Sequence, residues 1–104
     1  MKILKKLIEK ANDTLEEIEW YAEKAIALKE EHRALADVYV RIADMHITIY
    51  NMLHEKMVSL INEEKSRGVK PPEAMVTLWE YEHEKATKEF LEAKYLLEEY
   101  KRMG

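Results

Sequence analysis

Cysteine is absent from this chain of 104 residues, and glycine and proline occur only twice each. Without cysteine, the chain has no disulfide framework, no thiol nucleophile and no thiolate metal site. Sheet proteins need turns, and turns consume glycine, proline, asparagine and aspartate. The chain is instead rich in Glu, Lys, Leu and Ala, which favour helices. The composition therefore predicts long helices with very few connections.

The sequence also lacks a strong charge of one sign and a long apolar run. Its formal net charge is −4, with no strongly basic block, which argues against binding to a phosphate backbone. No stretch approaches the ~18–20 apolar residues of a membrane span. The opening "MKILKKLIEKAND" lacks the apolar region of a secretory signal. We therefore expect a cytoplasmic protein with no nucleic-acid or membrane partner, folded as a single domain over 1–104.

Two interruptions divide the chain into three segments. The clearer one is "SRGVKPPE", where Gly68 suits the position after a helix and Pro71 or Pro72 can open the next helix. The second is "KEEHR" at 29–33, five polar residues that interrupt the flanking apolar patterns. A single helix running through this point to Ser66 is the alternative. The expected fold is an all-α, antiparallel, up-down-up three-helix bundle with helices near 2–28, 33–66 and 72–102.

The first and third segments each carry one apolar face at helical spacing. In the first segment the face consists of Leu4, Leu7, Ala11, Leu15, Ile18, Ala22 and Ala25. In the third it consists of Met75, Trp79, Ala86, Phe90, Ala93, Leu97 and Tyr100. A gap between Trp79 and Ala86 is filled by Glu82 and His83. Thr14 and Glu17 match a capping box, but the apolar face keeps its phase across them, which favours one continuous helix.

The second segment has an unusually narrow polar face. Its polar residues recur at intervals of four and three, which places them on one line along a helix: Asp37, Arg41, Asp44, Thr48, Asn51 and Glu55. A surface helix normally has a wide polar face. We therefore expect this helix to be the middle element of the bundle, flanked by both others.

Apolar residues on the two shoulders of this polar line predict self-association. Val40, Ile47 and Val58 lie on one shoulder, and Met45 and Met52 lie on the other. Two neighbouring helices leave one shoulder uncovered, and a symmetric dimer is the commonest way to cover it. Trp20 and Tyr81 lie off the main apolar faces and are candidate interface anchors. The predicted interface residues are Trp20, Tyr81, Met45, Met52 and Ile47, with a homodimer as the expected assembly and another protein as the alternative partner.

Histidines are the only candidates for chemistry. His46 shares a row with Tyr39, and its simplest interpretation is a core histidine bonded to a tyrosine, a glutamate or a carbonyl oxygen. The alternatives are a metal or catalytic role and a position at a subunit interface. An antiparallel turn near residue 69 brings His54 level with about residue 83. Glu80 and His83 have the i, i+3 spacing that places two ligands on one helix face. Any metal site would therefore use Glu80, His83 and His54.

Two resemblances bear on function. The stretch "EEIEWYAEKA", together with Glu80-x-x-His83, resembles ferritin-like di-iron proteins, but Asn51-x-x-His54 replaces the second Glu-x-x-His and a fourth helix is missing. The stretch "PPEAMVTLWEYEHEKATKEFLEAKYLLEEYKRM" resembles small helical proteins of phages and prophages of Firmicutes. The second resemblance implies an accessory or anti-defence protein that acts by binding, and it assigns no functional residue.

No Gly-rich phosphate loop, Gly-x-Ser-x-Gly or His-Glu-x-x-His motif occurs in the sequence. We therefore expect a non-enzymatic helical interaction protein that self-associates and needs no cofactor. The alternative is a metal-binding, ferritin-like helical protein.

Overall fold

The computed structural model describes residues 2–68 and 73–103, apart from the side chains at 74 and 75. It contains three α-helices: α1 (Lys2–Leu28), α2 (Arg33–Ser66) and α3 (Glu73–Arg102). The predicted all-α fold and the predicted helix boundaries are confirmed. The helices form an elongated bundle of 56 × 18 × 18 Å. None of the helices in the described ranges is both long enough and apolar enough to span a bilayer.

Both predicted interruptions end a helix. Between α1 and α2 the polar run forms a tight turn, in which the backbone N–H of His32 donates to the carbonyl of Leu28 (2.8 Å). Gly68 follows α2 with φ = +72°, a left-handed conformation that only glycine adopts without strain. The prediction that Pro71 or Pro72 opens the third helix lies outside the described residues.

Helix α1 is continuous through the capping-box residues. The Thr14 hydroxyl donates to the backbone carbonyl of Lys10 (2.8 Å), a bond that a threonine forms inside a helix rather than at its start. The apolar face of α1 is buried as its spacing predicts, with Leu7 half-buried at its edge. Leu15 and Ile18 are the largest side chains described as fully buried, so the centre of the core lies on α1.

Contacts between named residues establish the up-down-up topology. Tyr21 of α1 packs on Tyr39 of α2 with ring centroids 5.3 Å apart, and these residues lie near the turn between the two helices. Tyr100, near the end of α3, donates to Asp37, near the start of α2. Asn12 of α1 donates to Glu82 of α3 (3.2 Å), and Lys29, just after α1, donates to the carbonyl of Tyr100. The two contacts follow the same order along both segments, so α1 and α3 are parallel.

The central helix is α1, and the expectation that helix two is the middle element was wrong. Helix α1 packs against both α2 and α3, whereas the backbones of α2 and α3 approach each other at few points. Small side chains explain the close α1–α2 packing, because alanines let two backbones approach. These two helices carry four fully buried alanines: Ala22 and Ala25 on α1 and Ala36 and Ala43 on α2.

Large side chains span the wider space between α2 and α3. Tyr50 of α2 stacks on Phe90 of α3 with ring centroids 4.8 Å apart. The second half of α3 is anchored by Ala93, Leu97 and Tyr100, which are all buried. Its first half is less covered, since none of the side chains described between Glu73 and Thr87 is buried. Helix α3 is therefore attached to the bundle most firmly at its C-terminal end.

Candidate functional site

An exposed apolar stripe on α2 is the main surface feature. Five of its six residues are exposed and Ile42 is half-buried: Leu35, Val38, Ile42, Met45, Ile49 and Met52. We call these six residues the α2 seam. They lie on the side of α2 that faces neither α1 nor α3. The seam exists because α2 is an outer helix, while its sequence has the narrow polar face of an inner one.

The two shoulders of the polar line have different environments. Met45 (57% exposed) and Met52 (65%) lie on the open shoulder, as a self-association surface requires. On the opposite shoulder Val40 is buried and Ile47 is half-buried and packs against the core, whereas Val58, nearer the end of α2, is 37% exposed. Ile47 therefore belongs to the core side of α2. It does not share a surface with Met45 and Met52, although all three were predicted as interface residues. Tyr81 is 62% exposed, but it lies on α3 and outside the seam.

An aromatic cluster borders the seam on the α1 side. Trp20 contacts Tyr21 and Tyr39, with ring centroids 5.0 and 5.7 Å apart, and still leaves 47% of its surface exposed. Tyr39 is one helical turn from both Leu35 and Ile42, so Trp20 extends the apolar surface of the seam onto α1. His46 lies within the same cluster, 5.8 Å from the Tyr21 ring, and its Nδ1 bonds the carbonyl of Ile42 (2.9 Å). The interpretation of His46 as bonded to a carbonyl oxygen is confirmed.

A histidine pair connects α2 to α3. Nε2 of His54 lies 3.2 Å from Nε2 of His83, at the level that the antiparallel turn predicts. One ring must donate and the other must accept, so this hydrogen bond requires at least one neutral imidazole. The predicted third ligand, Glu80, is exposed, and no group of three His, Asp or Glu side chains placed to hold a metal occurs among residues 2–68 and 73–103. The structure thus brings together two of the three predicted ligands.

Three aromatic side chains lie with the two imidazoles in a row of near-parallel rings. Trp79 stacks on His83 with centroids 5.5 Å apart, and Tyr50 stacks on His54 at 6.1 Å. Phe90 continues the row beyond Tyr50, and Tyr50 itself is buried. These contacts restrict rotation of both imidazoles and keep the two Nε2 atoms facing each other. Neither Tyr50 nor Trp79 carries a sequence signal for this role.

A small cavity adjoins the histidine pair. Its volume is about 20 Å³, enough for roughly one water molecule. Both histidines line it, together with Asn12 and Glu82, whose side chains are hydrogen-bonded to each other. Glu82 and His83 are the residues that fill the gap in the apolar face of the third segment. That gap is therefore the polar part of the surface that α3 presents to the other helices. An apolar residue in place of His83 would leave His54 without this hydrogen-bond partner.

Electrostatics favour the neutral form of His54. Partial burial lowers the pKa of His54 below the ordinary histidine value of 6.5, and the neighbouring His83 lowers it further, while Glu55 opposes both effects. The phenol of Tyr50 lies beside the pair, and burial, together with the charge of Glu89, raises its pKa. The neutral imidazole is the form that accepts hydrogen bonds and binds metals.

A third polar group lies at the opposite end of the bundle. Lys29 is buried at the α1–α2 turn, donates to the backbone carbonyl of Tyr100, and lies 4.1 Å from the centroid of the Tyr100 ring. This contact places a cation at the C-terminal end of α3, where the last carbonyls lack helical partners. Burial and the hydrogen bond to Asp37 raise the pKa of Tyr100. No pattern in the sequence indicates this group, because Lys29 begins a polar run typical of an exposed turn.

Comparison with protein-family models, with curated proteins and with solved structures finds no match to this chain.

Proposed function

We propose that this protein is a non-enzymatic helical interaction protein, and that the α2 seam pairs with the α2 seam of a second copy. The observation that carries the proposal is the exposure of the seam on an outer helix. Most exposed apolar residues on a protein surface are scattered and need no explanation. Six on one line of one helix form a contiguous stripe, which is typical of an interaction site.

The spacing of the seam supports a helix as the occupant. Its residues follow one another at intervals of three, four, three, four and three, which is the a and d pattern of a coiled coil. From Leu35 to Met52 the stripe extends about 25 Å at a rise of 1.5 Å per residue. It therefore offers a helical partner more than two heptads of continuous contact.

A second copy is the occupant that the seam itself provides. In an antiparallel pair, Leu35 faces the partner's Met52, Val38 faces the partner's Ile49, and Ile42 faces the partner's Met45. Every apolar residue then meets another apolar residue, as an isologous two-fold interface requires. On the polar flank, Arg41 lies near the partner's Thr48, so this register brings no like charges together.

The energetics allow such a dimer. Full burial of a Val, Leu, Ile or Met side chain gains about 1.5–3 kcal/mol relative to full exposure. The seam residues are roughly half-exposed, so each gains about half of that on association. Association costs roughly 4–15 kcal/mol, and the gain from six such residues in each copy offsets a cost at the lower end of that range. The adjacent Trp20 adds aromatic area at the edge of the contact.

Sedimentation equilibrium with two matched variants tests the dimer. Met52→Glu puts a charge in the seam, whereas Asn51→Glu puts the same charge on the neighbouring polar line. We expect a mass near twice 12.4 kDa for the unmodified chain and for Asn51→Glu, and a monomer for Met52→Glu. A monomeric unmodified chain at tens of micromolar, or equal weakening by both variants, would show that the seam does not pair.

The resemblance of the third segment to small phage and prophage proteins supports an accessory or anti-defence role exerted by binding. Expression of the chain in bacteria that carry a phage-defence system is the test. Restored phage growth that depends on the chain supports the role, and unchanged growth across a panel of defence systems contradicts it.

A further inference from the structure

The space between α2 and α3 contains a pair of metal-ligand atoms that dimerization through the seam does not use. The Nε2 atoms of His54 and His83 are 3.2 Å apart and come from different helices. Two imidazole nitrogens bound about 2.0–2.1 Å from one tetrahedral zinc ion lie about 3.3 Å apart. The pair therefore already has the separation that two ligands of one ion adopt.

We propose that His54 and His83 form a two-histidine site for a borderline divalent transition metal such as zinc, and that the bound ion fastens α3 to α2. Water occupies the remaining coordination positions, because no third His, Asp or Glu joins the pair within the described parts of the chain. Imidazole nitrogen suits Zn²⁺, Cu²⁺ and Ni²⁺, whereas Mg²⁺ and Ca²⁺ prefer oxygen ligands.

Preorganization supports the site. The imidazole of His83 lies against Trp79, and the imidazole of His54 lies against Tyr50. Metal ligands whose orientation is fixed in advance lose less freedom on binding. The neighbouring cavity has room for about one water, and Glu82, which lines it, contributes a carboxylate beside the cation.

The position of the pair gives the metal a structural effect. Helices α2 and α3 have few close backbone contacts, and the first half of α3 is the less buried half. Ligands from two elements tie those elements together, because the ion binds the folded arrangement more tightly than the unfolded chain. Zinc bound to His54 and His83 therefore stabilises the N-terminal half of α3 against the bundle.

Calorimetric titration of the chain with zinc chloride tests the site. We expect one ion per chain, a higher midpoint of thermal unfolding with zinc, and no such rise with magnesium. His54→Gln and His83→Gln should each weaken zinc binding at least about tenfold, since loss of even an outer-shell partner of a metal ligand costs 10–100-fold. His32→Gln is the matched control, because His32 is exposed at the α1–α2 turn.

Tryptophan fluorescence gives a second, local measurement. The chain contains only Trp20 and Trp79, so a Trp20→Phe background reports on Trp79, which lies 5.5 Å from the His83 ring. Copper(II) should quench this fluorescence in the Trp20→Phe chain and should quench it far less when His83→Gln is added. Sedimentation with zinc should show no larger assembly than without it, as expected for ligands within one chain.

Several results would overturn the site. These are no zinc binding to the unmodified chain, equal binding by His54→Gln and the unmodified chain, or loss of binding in His32→Gln alone. His83 is exposed, so His83→Gln is expected to keep the fold. Circular dichroism of each variant confirms the helix content before titration. A monomeric chain that still binds zinc would contradict the dimer and leave the metal site standing.

Discussion

Tyr100 of α3 donates its hydroxyl hydrogen bond to Asp37 of α2, while its own backbone carbonyl accepts from Lys29. One tyrosine thus connects the end of the third helix to the start of the second helix and to the turn between the first two. Because α3 is anchored mainly at this end, the contact contributes to stability across all three helices.

Tyr100→Phe should destabilise the protein by about 1–2 kcal/mol, since it removes one hydrogen bond to a charged acceptor that keeps some access to water. Tyr95→Phe is the matched control. The Tyr95 hydroxyl bonds only Glu99 on the same exposed helical surface (3.1 Å), and its loss should change stability by less than about 0.5 kcal/mol. Urea unfolding followed by circular dichroism measures both. Equal effects of the two variants would show that the contact with Asp37 does not stabilise the fold.

Cysteine cross-linking should report the direction of the paired seams. Since the chain has no cysteine, each introduced thiol is unique. In the antiparallel register, Val38→Cys and Ile49→Cys chains should form a mixed disulfide, and each alone should cross-link poorly. Eleven residues separate the two positions, which is about 16 Å along a helix. Efficient self-cross-linking of Val38→Cys would instead indicate parallel seams and contradict the antiparallel register.

The histidine pair predicts a pH dependence of stability in the metal-free protein. Burial and His83 lower the folded-state pKa of His54 below the ordinary histidine value of 6.5, so the unfolded chain binds more protons there than the folded chain does. The free energy of unfolding should therefore be highest above pH 6.5 and should fall as the pH decreases below it. The surrounding titratable groups are His83 and Glu82 from α3 and Tyr50 and Glu55 from α2, and α1 contributes none to the cavity lining.

Urea unfolding with a chelator between pH 5 and pH 8 measures this dependence. His83→Gln should reduce the slope near pH 6, because it removes the neighbouring positive charge, and His32→Gln should leave the slope unchanged. An identical slope in all three chains would show that the pair does not couple protonation to folding.

Glu19 of α1, which lies near Glu89 and Glu92 of α3, predicts a pH dependence of stability with the opposite sign. Burial raises the pKa of Glu19 above 4.5, as do the charges of Glu89, Glu23, Glu92 and Glu16. A raised folded-state pKa means that the folded chain binds the extra proton, so stability falls as the pH rises through this range. At neutral pH the ionised Glu19 is therefore unfavourable. Glu19→Gln should be at least as stable as the unmodified chain, with a difference that shrinks as salt screens the charges.

Glu9→Gln is the matched control for Glu19→Gln, because Glu9 is exposed on the same helix and lies outside this acidic group. Thermal unfolding at neutral pH in low and high salt compares the two variants. A clear loss of stability in Glu19→Gln would show that the carboxylate makes a favourable contact that outweighs the repulsion.

Local physics in the sequence determined the three helices. The apolar spacing of α1 follows from the helical repeat, Gly68 takes the left-handed conformation that ends α2, and the polar run at 29–33 becomes the first turn. Counting residues from the turn also predicted that His54 and His83 lie at one level, since both helices rise by the same amount per residue. Each of these features depends on residues near one another in the chain or on a repeat that the chain carries throughout.

Only the tertiary structure decided which helix lies at the centre and which surface stays open. The narrow polar face of α2 indicated a central helix, but the buried alanines of α1 and α2 let those two helices approach closely and left α2 on the outside. That arrangement exposed Met45 and Met52 and buried Val40, a choice that the symmetric shoulders of the sequence left open. Docking of the α3 end likewise buried Lys29, and Tyr50 and Trp79 fixed the histidine rings. The periodicity of a helix specifies its own faces, whereas which face is covered depends on how closely the other helices can pack against it.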